Sequence, residues 1–238
     1  MRMLLLWYSL VLACLLGAAV APARAEGLRV APVLLEVQAP GAQTSLTLRN
    51  IGKQPITVQA RVFLWDQTGG EDRLVPTRDV VVSPPITQVR PGGEQSIRIV
   101  RTTKSKVRGQ EAYRVLVDEV PDMSRQRSGT VDFATRLSIP VFFTAPGSTK
   151  AQVAWSVRRS GAGAYLEARN SGQQNLRLVD LRLSRGGSRV YGKTGLFGYV
   201  LGGATMRWPL GAVSGIGSGL TLSAMTAAGD YHASVSAR

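Results

Sequence analysis

Ser45-Leu46-Thr47-Leu48-Arg49-Asn50-Ile51-Gly52 alternates polar and apolar residues and then breaks at a glycine. A period of two is the mark of an extended strand with one face buried. Residues 56–65 repeat the pattern, with Ile56, Val58, Ala60, Val62 and Leu64 on one face and Gly69-Gly70 as the next break. Further along, Val80-Val81-Val82 stops at Ser83-Pro84-Pro85, where paired prolines forbid a central strand. Arg90-Pro91-Gly92-Gly93 reads as a turn, and residues 95–101 alternate again around Ile97 and Ile99. Two more strands are expected over residues 112–120 and 131–143. Helical periodicity is almost absent. Roughly seven short strands in about 120 residues are the pattern of an immunoglobulin-like sandwich.

Ala145-Pro146-Gly147-Ser148 then punctuates the chain at the spacing of a domain boundary. Beyond it, strands are predicted over residues 152–158, 164–170, 175–184, 200–208 and 219–224, with 231–235 closing a sheet. The expected fold is therefore all-β: two tandem immunoglobulin-like β-sandwich domains, over residues 26–147 and 148–238. A single large barrel is the alternative.

The first 25 residues read as an address. Met1-Arg2 is a short positive start, residues 3–17 are nearly continuously apolar, and Ala23-Arg24-Ala25 has the small-x-small form of a cleavage site. Cys14 lies inside the apolar run and is followed by apolar residues 15–21, so it reads as part of the signal rather than as a lipid attachment point. Cleavage after Ala25 leaves no cysteine, no membrane-inserted segment, and 27 basic against 15 acidic side chains.

Composition narrows the chemistry. At 44% hydrophobic and 18% charged, the chain is a folded protein and not a disordered one. One Cys and one His exclude a multi-cysteine zinc site and a disulfide framework, and only His232 could serve a Ser-His-Asp arrangement. No catalytic residues, metal or cofactor are expected. The charge of +14 invites a nucleic-acid reading, which export removes. Asp118 and Glu119 point to opposite faces of a strand and cannot converge on one substrate, which argues against a hydrolase. A secreted adhesin or carbohydrate-binding module remains the competing reading, with Trp65, Trp155, Trp208 and Tyr199 as stacking surfaces.

Residues 129–143 stand apart. Val131, Phe133, Thr135, Leu137, Ile139, Val141 and Phe143 fall on one face of a run longer than a typical strand of about 5–6 residues. Pro140 removes a ladder donor and suits an edge. Either the run is a long last strand facing the core, or its first half offers an apolar row to another protein's sheet.

Several motifs resemble the periplasmic pilus chaperones of the chaperone–usher pathway. Tyr113-Arg114-Val115-Leu116-Val117-Asp118-Glu119-Val120-Pro121 resembles their sixth strand, and Ser83-Pro84-Pro85-Ile86 with Arg90-Pro91-Gly92 and Ser96-Ile97-Arg98 their proline-turn-strand segment. Arg136-Leu137-Ser138-Ile139-Pro140-Val141-Phe142 looks like the archaic branch. So do Asn170-Ser171-Gly172, the stretch Gly198-Tyr199-Val200-Leu201-Gly202-Gly203, and Arg207-Trp208. The resemblance implies a periplasmic chaperone that lends an edge strand to pilin subunits lacking their last strand, then delivers them to an outer-membrane usher. Val131, Phe133 and Thr135 would fill the subunit's groove. It also implies basic residues in the interdomain cleft that hold the subunit's C-terminal carboxylate. Here the usual first-strand position carries Val33 and the lending-strand position carries Ser138, so the candidates become Arg114 and Arg136.

Overall fold

The computed structural model describes residues 27–121, 134–161 and 163–237, and these form seventeen strands and no helix. The first ten are β1 (Leu28–Ala31), β2 (Leu35–Gln38), β3 (Gln43–Asn50), β4 (Ile56–Asp66), β5 (Arg73–Pro76), β6 (Val80–Ser83), β7 (Ile86–Val89), β8 (Glu94–Arg101), β9 (Gln110–Val120) and β10 (Arg136–Thr144). They build two sheets, one in the order β1-β3-β8-β6 and the other β2-β10-β9-β4-β5, with β7 also against β4. Alternation accounts for the core between them. Leu46, Leu48, Ile97 and Ile99 point in from one sheet, and Val58, Val115, Val117, Val141 and Phe143 from the other. Each such side chain stabilises by about 1.5–3 kcal/mol on leaving water.

The second unit consists of β11 (Val153–Ser160), β12 (Gly163–Asn170), β13 (Leu176–Arg185), β14 (Ser188–Val200), β15 (Thr205–Gly211), β16 (Leu220–Thr226) and β17 (Gly229–Ala237). They form one sheet in the order β14-β13-β16-β17-β11-β12-β15, rolled so that its outermost strands meet where Phe197 lies 4.9 Å from Trp208. The core holds Val157, Leu166, Leu178, Leu181, Leu183 and Leu222.

The expected strand over 200–208 is corrected. β14 ends at Val200, the chain turns, and β15 begins at Thr205. The turn needs glycine, because a Cβ on Gly202 would fall 2.2 Å from the Gln173 carbonyl oxygen and Gly203 has φ +72°. The 13-residue β14 escaped the sequence reading because Gly192, Gly195 and Gly198 interrupt its alternation. Gly198 lies so close to the Trp208 indole that a Cβ would stand 3.1 Å from Nε1.

Both units use the same latch. Asn50 donates to the Gln54 and Val89 carbonyls and accepts from the Gly52 N–H. Asn170 donates to the Gln174, Val200 and Leu201 carbonyls and accepts from the Gly172 N–H. Each amide is buried and so requires these partners.

A third apolar cluster joins the units: Trp65, Ala112 and Phe142 from the first, Tyr199 and Leu201 from the second. Buried Gln67 reads the backbone across this seam. It donates to the Tyr199 carbonyl at 2.9 Å and accepts from the Leu201 N–H at 2.8 Å. Gln110 does the same at a second point, accepting from the Asn175 backbone and side-chain amides, both at 2.8 Å.

Candidate functional site

β4, β9 and β10 send every second side chain away from the first core. In register, Phe142 lies opposite Ala112, Pro140 opposite Arg114, Ser138 opposite Leu116, and Arg136 opposite Asp118; Phe63 sits across from Arg114 on the other side. One end of this outer face is covered by the second unit through Phe142 and Trp65. Farther along, Ser138 and Arg136 are exposed while Leu116 and Asp118 are buried. Arg114 stands between the two ends.

The Arg114 guanidinium lies 3.7 Å over the Trp65 ring and 5.5 Å from the Tyr199 ring centre. Such cation–π contacts are worth about 0.5–2 kcal/mol and leave the N–H groups free to point elsewhere. Burial lowers its pKa and the field of Asp72 opposes that. Asp72 itself accepts from Trp65 Nε1 and Gln67 Nε2, both at 2.8 Å. Among the described residues Arg114 makes no ion pair. It is thus a half-buried cation held on aromatic faces beside the seam between the units, a setting suited to a carboxylate. Val33, which occupies the position of the usual first-strand anchor, is 71% exposed in the crossover from β1 to β2.

Arg136 has a different setting. It donates to one oxygen of Asp118, while Arg61 donates to the other at 2.6 Å. The structure does not bring Arg136 and Arg114 together: they lie four residues of strand apart, about 13 Å at 3.3 Å per residue. Burial alone would raise the Asp118 carboxyl, but the two guanidinium groups outweigh it and hold the pKa below the usual carboxylate value. A depressed folded pKa contributes stability that is complete above the unfolded value, about 3.9, and fades as pH falls through the folded one. Asp118→Asn is therefore expected to lower the thermal midpoint at pH 6 and to lose that deficit progressively below pH ~4; a deficit that persists undiminished at pH 2 would contradict this.

β10 pairs with β9 along its whole length, but with β2 only from Val141 to Thr144, in parallel. Residues 136–140 therefore have one free side among the described residues. Which backbone groups face it follows from parity. The Thr135 carbonyl accepts from the Glu119 N–H at 2.9 Å, so residues 135, 137 and 139 address β9, and 136, 138 and 140 address the open side. Pro140 thus brings its missing N–H to the edge and costs the ladder nothing. Half-buried Thr135 opens this segment; Val131 and Phe133 lie outside the described residues.

The aromatic stacking surfaces of the competing reading are occupied internally. Trp65, Trp155 and Tyr199 are buried, and Trp208 stacks between Phe197 and Trp155. Sequence reasoning missed Phe142 and Gln67 as elements of the seam. The unbroken apolar run Ile139-Pro140-Val141-Phe142-Phe143 is the signal that could have found Phe142, because burial of both faces erases alternation.

Comparison with solved structures places the fold. A chain of the CsuC–CsuE chaperone–tip adhesion subunit pre-assembly complex, from archaic chaperone–usher Csu pili of Acinetobacter baumannii, is 24% identical with a TM-score of 0.71, over 89% of this chain and 99% of that one. The Escherichia coli chaperone DraB is 21% identical with a TM-score of 0.61, over 89% and 98%. A chain of the Salmonella enterica SafA pilin–SafB chaperone complex is 17% identical with a TM-score of 0.62, over 89% and 97%. A sequence search of curated proteins finds no match. The profile of the pili and flagellar-assembly chaperones, PapD N-terminal domain, matches residues 27–149, just over half of the chain. The protein belongs to the pili and flagellar-assembly chaperone family.

Proposed function

We propose that this chain is a periplasmic chaperone of the archaic chaperone–usher type. It completes pilin subunits with its own β10 edge and hands them to an outer-membrane usher. Residues 1–25 are its export signal, and residues 26–147 and 148–238 its two domains. The division is supported by sheets that share no strand across 145–152. The observation that carries the reading is β10, which among the described residues pairs on one side alone at residues 136–140, beside an Arg114 cation that makes no ion pair among those residues. A subunit short of one strand exposes core side chains and unpaired backbone groups, each buried unsatisfied group costing about 1–3 kcal/mol. The β10 backbone would satisfy one row of these groups, with Val131, Phe133 and Thr135 filling the groove. Arg114 would hold the subunit's terminal carboxylate and so set the register. Backbone pairing tolerates varied sequence, so one chaperone could serve several subunits.

Ser138→Pro tests the edge directly. The Ser138 N–H faces the open side, so proline removes a donor to the client while sparing the β9 ladder. Co-purification of a subunit from periplasmic extract should fall about tenfold or more relative to Ser138→Ala, with the chaperone's own unfolding midpoint little changed. Equal recovery from the two variants would mean that this edge does not pair with the client.

A further inference from the structure

Residues 102–109 join β8 to β9 and carry Lys104, Lys106 and Arg108, every second residue and each exposed. Thr103 and Val107 alternate with them and are half-buried, Val107 against the first core. The loop is held from beneath. The Arg101 side chain, 7% exposed, donates twice to the Glu111 carboxylate at 2.8 Å, to the Thr103 carbonyl at 3.0 Å and to Ser105 Oγ at 3.2 Å. At the loop's other end the Gly109 carbonyl accepts from the Ala145 N–H at 2.8 Å and from Ser148 Oγ at 2.9 Å. Glu111 thus answers Arg101, whereas Lys104, Lys106 and Arg108 make no ion pair among the described residues. With the loop's shape fixed in advance, binding an anion there carries little ordering cost beyond the lysine side chains themselves.

Lys104 and Lys106 line one cavity of about 400 Å³, whose opposite wall is the turn at residues 39–42 together with Pro146. That volume falls within the range of about 300–1,000 Å³ usual for small-ligand sites. Three cations line it, counting Arg101, and no carboxylate does. Glu111 lies in the adjoining recess with Lys106 and Arg108, and Asp79 is the other acid whose field reaches Arg101. We propose that this cavity binds a phosphomonoester, with Lys104 and Lys106 on the phosphate and Ala39, Pro40 and Pro146 covering the ester's organic body. An ammonium is a compact point charge with three donors, which suits the oxygens of a phosphate better than the plane of a carboxylate. The phosphomonoester carries nearly two negative charges at neutral pH, enough to engage both lysines. The Ala39 N–H donates to the Thr144 carbonyl, so the site adjoins the end of β10 away from residues 136–140 and can be filled without covering them. The ester's source is either a soluble compound or a lipid headgroup; the two bring the same group to the lysines.

The test is a titration of the purified chain at low ionic strength with glycerol 3-phosphate and with glycerol, followed by backbone amide resonances. Amides of residues 39–42 and 104–108 are expected to move with the phosphate and not with glycerol. A double variant, Lys104→Gln with Lys106→Gln, should weaken binding about tenfold or more; both side chains are exposed, so the fold should be untouched. Arg90→Gln, which removes an exposed charge beyond the other end of β8, should change binding less than twofold. Vesicles of phosphatidylcholine with and without phosphatidic acid separate the sources. Binding to the phosphatidic acid vesicles that glycerol 3-phosphate displaces supports the site with a lipid ligand, and binding of the soluble ester alone supports it with a soluble one. No response to glycerol 3-phosphate would overturn the proposal, any vesicle binding then being attraction between surfaces. Equal losses in the double variant and Arg90→Gln, or tighter binding of a glutamate hexapeptide than of the ester, would reduce the effect to general charge and overturn it as well.

Discussion

Arg114→Ala is expected to reduce recovery of the chaperone–subunit complex by at least about tenfold while leaving the chaperone itself abundant. Truncating one partner of a buried, hydrogen-bonded charge pair costs about 2–5 kcal/mol, and every 1.4 kcal/mol is a factor of ten in affinity. The fold loses less. Arg114 makes no ion pair among the described residues, so its removal forfeits cation–π contact with Trp65 and Tyr199, about 0.5–2 kcal/mol. Arg114→Lys refines the test, because it keeps the charge and abandons the planar fork; it should recover only part of the complex. Immunoblots of periplasmic extract before and after pull-down give both quantities. Normal complex recovery with Arg114→Ala would remove it from the anchor.

Phe142→Ala should be the most damaging of the core-size substitutions in its effect on cooperativity. Its side chain is fully buried, 5.9 Å from Trp65 and 6.1 Å from Tyr199, so the cavity opens in the seam between the units. Phenylalanine-to-alanine changes in cores cost about 3–5 kcal/mol. The neighbour Phe143 is equally buried but points the other way, against Tyr113 at 6.0 Å in the first core. The pair therefore separates two roles of one strand. In urea, Phe143→Ala should lower the transition of the first unit, and Phe142→Ala should split one transition into two by uncoupling the units. If the two variants give the same single shifted transition, the seam does not couple the units.

Much of the strand pattern was legible because alternation survives wherever one face is wet. Residues 45–50, 56–61 and 96–99 alternate in sequence and alternate in burial. The short strands β1, β2, β5 and β7 were missed; four residues carry too little periodicity to stand out from their flanks. β14 was missed for the opposite reason, since its glycines hide a long strand. In the candidate site, Arg114 could be picked out as a basic group on a strand face shared with Ala112, Leu116 and Asp118. What it rests on could not be read, because Trp65 is 49 residues earlier and Tyr199 is 85 later. Arg136 looked equivalent by charge. Its engagement with Asp118 depends on the β9–β10 register, which no local pattern states.

The parallel pairs have a consequence for the order in which the chain can mature. Among the described residues β2 joins its sheet through β10 alone, and β11, already paired with β12, is joined to β16 and β13 through β17, so in each unit an early part of the sheet waits for the last strand. A chain emerging from its amino end would hold β2 as an open end until residue 144 has arrived, and β11 and β12 would stay parted from β13 and β16 until residue 235 has. Closure is thus late and long-range in both halves, which favours slow folding after release over folding during emergence. The protein proposed to shelter incomplete sheets would itself pass through two such states on its way to the native fold.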